Sequence, residues 1–309
     1  MANILTITFN PCIDKSTSVP ALAPEKKLRC ASPVFEPGGG GINVARALKK
    51  LGKDATAVYP SGGYSGKFLN TLLTEENISA IVVETKRHTR ENLIVLDNAT
   101  NLQYRFGMPG PELNESEWRE CMDVIEQNEA EFIIASGSLP PGVPEDIFAQ
   151  ISMAAKKKNK KLVLDTSGRA LDLALKEGVY LAKPNIGELS KLAGKEELDA
   201  IEIEPVAREL ILKGACEIMV VSMGVAGAML VAKDEVYKIA APVVKRKSTV
   251  GAGDSMVAGI VLKIAEGKNL KEALQYGIAC GTAATMNAGT QLCSRDDVDK
   301  LFAAIKAVA

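Results

Sequence analysis

Short apolar runs rich in β-branched residues recur along the chain at positions 4–8, 55–59, 80–83, 132–135, 162–165, 180–182 and 218–221. Between several of them lie amphipathic segments of helical length, at 42–51, 66–75, 115–129, 145–157 and 170–176. Apolar strands alternating with helices predict an α/β fold with a largely parallel sheet and helices on both faces. Two later runs, 227–232 and 235–239, flank Lys233-Asp234 and predict a hairpin at a sheet edge. From Asp254 onward the pattern is mostly helical.

Two segments break this rhythm. Residues 11–35 are polar, are interrupted by Pro20, Pro24 and Pro33, and hold no good helix. Residues 90–106 predict two strands around a turn at 98–101. Together they read as a small β layer lying over strand ends as a lid, or as two ordinary surface loops. A lid would exclude water from a transfer site, where hydrolysis competes. No repeat, low-complexity tract or linker divides the chain, so one domain over 1–309 is expected, with lid segments near 11–35 and 88–108.

The chain has 309 residues, 47% of them hydrophobic, and can bury a substantial core. A net charge of −1 offers no excess of cations to a nucleic-acid partner. No run approaches the roughly 20 apolar residues that span a bilayer. The opening Met-Ala-Asn-Ile-Leu-Thr-Ile-Thr lacks a basic leader, so a cytoplasmic protein is expected. Six cysteines (Cys12, Cys30, Cys121, Cys216, Cys280 and Cys293) are scattered without a C-x-x-C pair, which favours reduced thiols over disulfides or zinc. The single histidine, His88, reads as a surface or lid residue.

The densest chemistry lies in Ser248-Thr-Val-Gly-Ala-Gly-Asp-Ser-Met-Val-Ala-Gly259. Gly251 and Gly253 let the backbone crowd a ligand, and Asp254 caps the following helix or projects from its first turn. Backbone N–H groups then face an anion with a carboxylate beside it, as phosphoryl transfer to a hydroxyl requires. A second signal is Glu36-Pro-Gly-Gly-Gly-Gly-Ile-Asn-Val-Ala-Arg46, four glycines opening into a helix with Asn43 as donor and acceptor. Alone, such a turn is also a tight connection or a dinucleotide fingerprint. It is not a G-x-G-x-x-G motif after the first strand, however, and no P-loop occurs anywhere.

Asp14 follows the first strand, at the edge where open α/β sheets bind ligands. It suits two sugar hydroxyls, or a turn or cap. Gly137-Ser-Leu-Pro-Pro-Gly142, Asp165-Thr-Ser-Gly168, Lys183-Pro-Asn-Ile-Gly-Glu188 and Ser222-Met-Gly224 each end a strand at the same edge. Asn185 and Glu188, three apart, would either hold a hydrated Mg²⁺ or cap a helix. Strand after strand thus ends in polar or glycine-rich chemistry.

With those motifs the chain resembles the ribokinase-like, PfkB-type carbohydrate kinases over nearly its whole length, and within them the minor-type 6-phosphofructokinases. Further matching segments are Lys27-Leu-Arg-Cys30, Val34-Phe35 before the glycine run, Tyr104-Arg-Phe106, Met108-Pro-Gly110 and Gly289-Thr-Gln-Leu-Cys-Ser294. The resemblance implies a three-layer α/β/α fold with a small β-sheet lid, and ATP-dependent phosphorylation of fructose 6-phosphate at O1. Asp254 would be the base, with Gly251, Ala252 and Gly253 as anion hole. Asp14, Gly38, Gly39, Asn43 and Ser138 match sugar-binding positions. Lys183, Asn185, Ser222, Gly224, Gly227, Ser248, Cys280 and Ala284 match ATP-binding positions, the last two beneath the adenine.

Glu188 would organise Mg²⁺ through water. Ser248, Val250, Ala284, Asn287 and Gly289 match a site for a monovalent cation such as K⁺, although Gln291 stands where the similar phosphofructokinases have arginine. Lys27, Arg29, Arg90 and Arg105 fall in the lid segments, where they would meet the substrate's phosphate or remain solvated surface charges. A homodimer through the lid is implied. Thr8-Phe-Asn-Pro-Cys-Ile-Asp14-Lys looks more like 1-phosphofructokinases and tagatose-6-phosphate kinases, whereas Gly40 stands where those carry lysine. A sugar-phosphate sensor on the same fold would not need Asp254, and a nucleoside kinase would not need lid cations.

Overall fold

The structure, a computed structural model, describes residues 3–308; Met1, Ala2 and Ala309 of the expected domain lie outside the described residues. Strand β1 (Ile4–Ile7) is followed by β2 (Cys12–Val19), β3 (Val34–Gly38), helix α1 (Gly40–Lys50), β4 (Thr56–Gly62), α2 (Gly63–Glu75) and β5 (Ser79–Thr85). Next come β6 (Arg90–Asp97), β7 (Leu102–Phe106), α3 (Glu115–Gln127), β8 (Phe132–Ser136), α4 (Ile147–Lys157), β9 (Lys161–Asp165), α5 (Gly168–Glu177) and β10 (Val179–Ala182). Helices α6 (Ile186–Leu192) and α7 (Ile203–Leu212) lead to β11 (Cys216–Ser222). A hairpin of β12 (Ala228–Ala232) and β13 (Val236–Ile239) precedes α8 (Ala252–Ala265), α9 (Leu270–Thr285) and α10 (Arg295–Val308).

Nine strands form the main sheet in the order β13-β12-β11-β10-β9-β8-β1-β4-β5. The strands from β11 to β5 run parallel, and at one edge, as expected, lies the β12–β13 hairpin, in which β12 pairs antiparallel with both β11 and β13. Alternate side chains leave a strand on opposite faces, and the core divides accordingly. Phe132 and Ile134 of β8 pack with α1, α8 and α9, while Ile133 and Ala135 pack with α3, α4 and α5. Ile218 and Val220 of β11 divide from Met219 and Val221 in the same way. The result is three layers, helix, sheet and helix.

A separate four-stranded sheet, β3-β2-β6-β7, is the small β layer read from the two irregular segments. It extends into the glycine run, because β3 continues to Gly38 and α1 begins at Gly40. That abrupt start depends on missing side chains. A Cβ on Gly40 would stand 2.2 Å from Ser136 Oγ, and one on Gly41 would stand 2.3 Å from the Ile7 carbonyl. The first turn of α1 therefore sits directly on the carboxyl ends of β1 and β8.

One helix, α7, is absent from the sequence reading. Pro205 interrupts the apolar pattern there, yet it falls in the first helical turn, where a missing N–H costs nothing. Among the described residues no helix is long and apolar enough to cross a membrane. All six cysteines are free thiols.

Candidate active site

The chain leaves β1 toward β4 and β5 on one side and returns through β8 on the other, so strand order reverses between β1 and β8. Open α/β sheets bind ligands at such a point, beyond the carboxyl ends of the strands. Here those ends carry Ser136, Asp165, Lys183 and Ser222, while Asp14, expected at the same edge, lies instead near the start of β2 in the small sheet. Helix α8 points its N-terminus at them, starting from Gly251 in the left-handed conformation at φ 72° and ψ 3°. No side chain caps α8, so its first-turn amides are left for a ligand.

Asp254, half-buried in that first turn, accepts hydrogen bonds from Asn43 Nδ2 at 3.0 Å and from Ser136 Oγ at 3.2 Å. Its pKa is pushed up to about 6, first by burial and then by the neighbouring Asp165 carboxylate; Asn43, Lys183 and Ser136 pull the other way. Lys183 Nζ is buried 3.0 Å from Asp165 Oδ1. Burial works against its charge, but Asp165, with Asp254 and Glu188 behind it, outweighs that and raises its pKa. An ammonium and a base of intermediate acidity thus stand beside an amide-lined turn.

Asp14 sits deeper, on β2, and is buried. It accepts from Asn92 Nδ2 at 3.0 Å, Thr290 Oγ1 at 3.2 Å and the Cys12 thiol at 3.3 Å. Ser138 accepts from Asn10 Nδ2 at 3.0 Å on the rim. Arg90 donates to the carbonyls of Asn10 and Met108, both at 2.9 Å, and its buried Nε has no partner. On β7, Arg105 reaches across from the lid to Thr249 Oγ1 at 2.6 Å, while Leu102, Tyr104 and Phe106 of the same strand are exposed.

On the opposite side of the α8 turn lies a cleft of about 420 Å³. Ser222, Gly224, Gly227, Ala252 and Gly253 line it, together with Val243 and the Ile278, Gly281, Thr282 and Thr285 face of α9. Its apolar walls and glycine-rich entrance suit a purine nucleotide. Asn185 and Glu188 form a reciprocal capping box, Asn185 N donating to Glu188 Oε2 at 2.8 Å and Glu188 N to Asn185 Oδ1 at 2.9 Å. That arrangement leaves the second Glu188 oxygen without a partner in the cap. Among the described residues no cluster of three or more His, Cys, Asp or Glu side chains could hold a metal ion directly. Val250 N donates to Ser248 Oγ at 3.2 Å, Asn287 N donates to the Ala284 carbonyl at 3.3 Å, and Gly289 has φ 58°.

Several expected positions fall elsewhere. Cys280 and Ala284 are fully buried and do not line the cleft. At 3.6 residues per turn, Ile278, Gly281, Thr282 and Thr285 share one face of α9, and Cys280 points instead toward Gly259 of α8. Lys27 and Arg29 are exposed on the loop between β2 and β3, with no hydrogen bond or ion pair among the described residues. The return of that loop is pinned where Ala31 N meets the Ser18 carbonyl at 2.9 Å. Ser18 is roughly 13 Å along β2 from Asp14 at the usual strand rise. Within one chain neither cation joins the site. Sequence reading placed Asp165 at a strand end and Thr290 within a matching segment without giving either a role, and it did not single out Ser136 or Asn92; the signal available for Ser136 was a polar residue closing an apolar strand.

The family model for pfkB family carbohydrate kinases matches residues 4–297. The ATP-dependent 6-phosphofructokinase isozyme 2 of Escherichia coli is 46% identical over 305 residues, covering 98% of this chain and 99% of that protein. The 1-phosphofructokinase of Bacillus subtilis is 32% identical over 304 residues, covering 98% of each. The crystal structure of phosphofructokinase-2 from Escherichia coli in complex with potassium superposes with a TM-score of 0.95 at 45% identity, covering 99% of this chain and 100% of that one. Ribokinase of Arabidopsis thaliana shares the fold, with a TM-score of 0.79 at 20% identity over 98% of this chain and 99% of that one.

Proposed function

The chain belongs to the pfkB family of carbohydrate kinases, and from that premise we propose that it is an ATP-dependent 6-phosphofructokinase. It moves the γ-phosphoryl group of ATP to O1 of fructose 6-phosphate, giving ADP and fructose 1,6-bisphosphate. The observation that carries this reading is the Asp254 carboxylate between the Asp14 pocket and the cleft, held by Asn43 and Ser136 with its pKa near 6. Asp14, Gly38, Gly39 and Asn43 bind the sugar hydroxyls, and Ser138, Arg90 and Arg105 face its phosphate. Asp254 takes the O1 proton as that oxygen attacks phosphorus, and the amides of Gly251, Ala252 and Gly253 meet the charge on the transferred group.

Lys183 and the Ser222, Gly224 and Gly227 wall hold the nucleotide. The uncapped oxygen of Glu188, with Asn185, fits a hydrated Mg²⁺, which when bound neutralises phosphate charge. The carbonyls of Ser248, Val250, Asn287 and Gly289, on the two loops beside the glycine turn, suit K⁺. The whole chain acts as one kinase unit with β2, β3, β6 and β7 as its lid. A second copy would cover the exposed Leu102, Tyr104 and Phe106, giving a homodimer. Six free thiols fit a cytoplasmic setting.

An ADP-release assay across fructose 6-phosphate, tagatose 6-phosphate and fructose 1-phosphate tests the substrate, with fructose 6-phosphate expected to give the highest kcat/KM. Clear preference for fructose 1-phosphate would make the protein a 1-phosphofructokinase, toward which Asn10-Pro-Cys-Ile-Asp14 leans. Turnover of none would leave a sensor. Asp254→Asn should lower kcat by at least about a thousandfold while sparing sugar binding.

A further inference from the structure

Arg46 lies on α1 one turn beyond Asn43, and its side chain is only 2% exposed. A guanidinium buried that deeply is costly unless its N–H groups find acceptors. Nε and Nη2 donate to the two oxygens of Glu76 at 2.7 and 2.6 Å, a bidentate pair with the half-exposed residue just after α2. Nη1 donates to the carbonyls of Pro37 at 2.8 Å and Thr290 at 3.1 Å, and faces Asn43 Oδ1 at 3.4 Å.

Each acceptor of Nη1 leads into the site. Pro37 opens the glycine run, and Thr290 gives its hydroxyl to Asp14 and its N–H to Glu36 at 2.7 Å. Asn43 offers its amide N–H to Asp254. A side-chain amide accepts on one side and donates on the other. With a fixed cation facing it, the favourable orientation turns Oδ1 toward Arg46 and therefore Nδ2 toward Asp254. We propose that Arg46 is a positioning residue for phosphoryl transfer: through Asn43 it orients the hydrogen bond that holds the base, and through Thr290 it fixes Asp14 relative to that base. This rests on the reading of Asp254 as base.

Arg46→Lys tests it, because lysine keeps the charge but lacks the planar fork. Asp254 also faces Asp165 and Lys183, and Arg46 faces Glu36 and Glu76; none of these changes in the variant. The Asn43 bond lowers the Asp254 pKa, so losing it raises that pKa. The acid limb of kcat/KM should move up by about half a unit to one unit, with kcat down about tenfold. On an Asn43→Ala background, Arg46→Lys should move the limb no further. If Arg46→Lys does not fold, Glu76→Gln loosens the fork from its half-exposed side and should move the limb the same way by less. An unmoved limb in either folded variant, or a further shift on the Asn43→Ala background, overturns the proposal. Retained turnover in Asp254→Asn would instead sink the base reading itself, so the two failures are distinguishable.

Discussion

Replacing Asp254 by Asn should stabilise the protein while it abolishes turnover. In the fold the carboxyl pKa is raised from 3.8 to about 6, by burial first and by Asp165 second. In the unfolded chain it returns to about 3.9. Between those values the folded state binds more protons than the unfolded state, so this group lowers stability as pH rises, with the full loss above about pH 6. Two units at about 1.4 kcal/mol each give an upper figure of about 3 kcal/mol, since Asp254 keeps some contact with solvent. An amide escapes that cost, accepts from Asn43 through its oxygen, and donates to the Ser136 hydroxyl through its Nδ2. The expected gain at about pH 8 is about 1–3 kcal/mol, or about 2–5 °C in Tm, shrinking to nothing near about pH 4. Urea unfolding and calorimetry of both proteins at the two pH values measure it. A variant less stable than wild type at the higher pH, or a gain independent of pH, would refute the reasoning.

The acid limb of kcat/KM should lie at about pH 6 and fall about tenfold per unit below it; a limb near about pH 4 would mean that the base is unperturbed. Gly38→Ala would put a Cβ 2.5 Å from Asp14 Oδ2 and 2.7 Å from Cys12 Sγ. Steady-state kinetics should then show an efficiency for the sugar phosphate lower by about 10- to 100-fold, with little change in the KM for ATP. Arg105→Ala removes the contact between lid and Thr249. It should raise the KM for the sugar phosphate while leaving stability within about 0.5 kcal/mol, because the side chain is exposed; an equal loss of thermal stability would assign the contact to folding instead.

The layers and the polar strand-end rim were legible because they are written locally. Apolar runs set the strands, and polar or glycine-rich ends such as Gly137-Ser138 and Lys183-Pro184 marked one rim. What joins residues across the rim was not written locally. Asn43 and Asp254 meet across 211 positions, and Ser136 is the register partner of Asp165 only because β8 and β9 pair in parallel. Helical phase was the other gap. Cys280 matches a family position by sequence, but a turn of 100° per residue puts it behind Gly281 and Thr282, against α8. Lys27 and Arg29 carried no periodic signal that could place them, and the loop holding them closes on Ser18.

In the proposed site, Asp165 would let a cation and a base of pKa about 6 stand side by side. An ammonium facing a carboxylate holds that carboxylate well below its ordinary range, which yields an ionised but feeble proton acceptor. Here Lys183 is engaged by Asp165 at 3.0 Å, so part of its field is already answered before it reaches Asp254. Asp165 also pushes Asp254 upward directly, and burial adds to that. The outcome is a base ionised near neutrality yet still able to hold a proton, with an ammonium kept charged beside the amides of α8. On the proposed reading, charge for the phosphoryl group and basicity for the hydroxyl would thus come from one triad of side chains rather than be traded against each other.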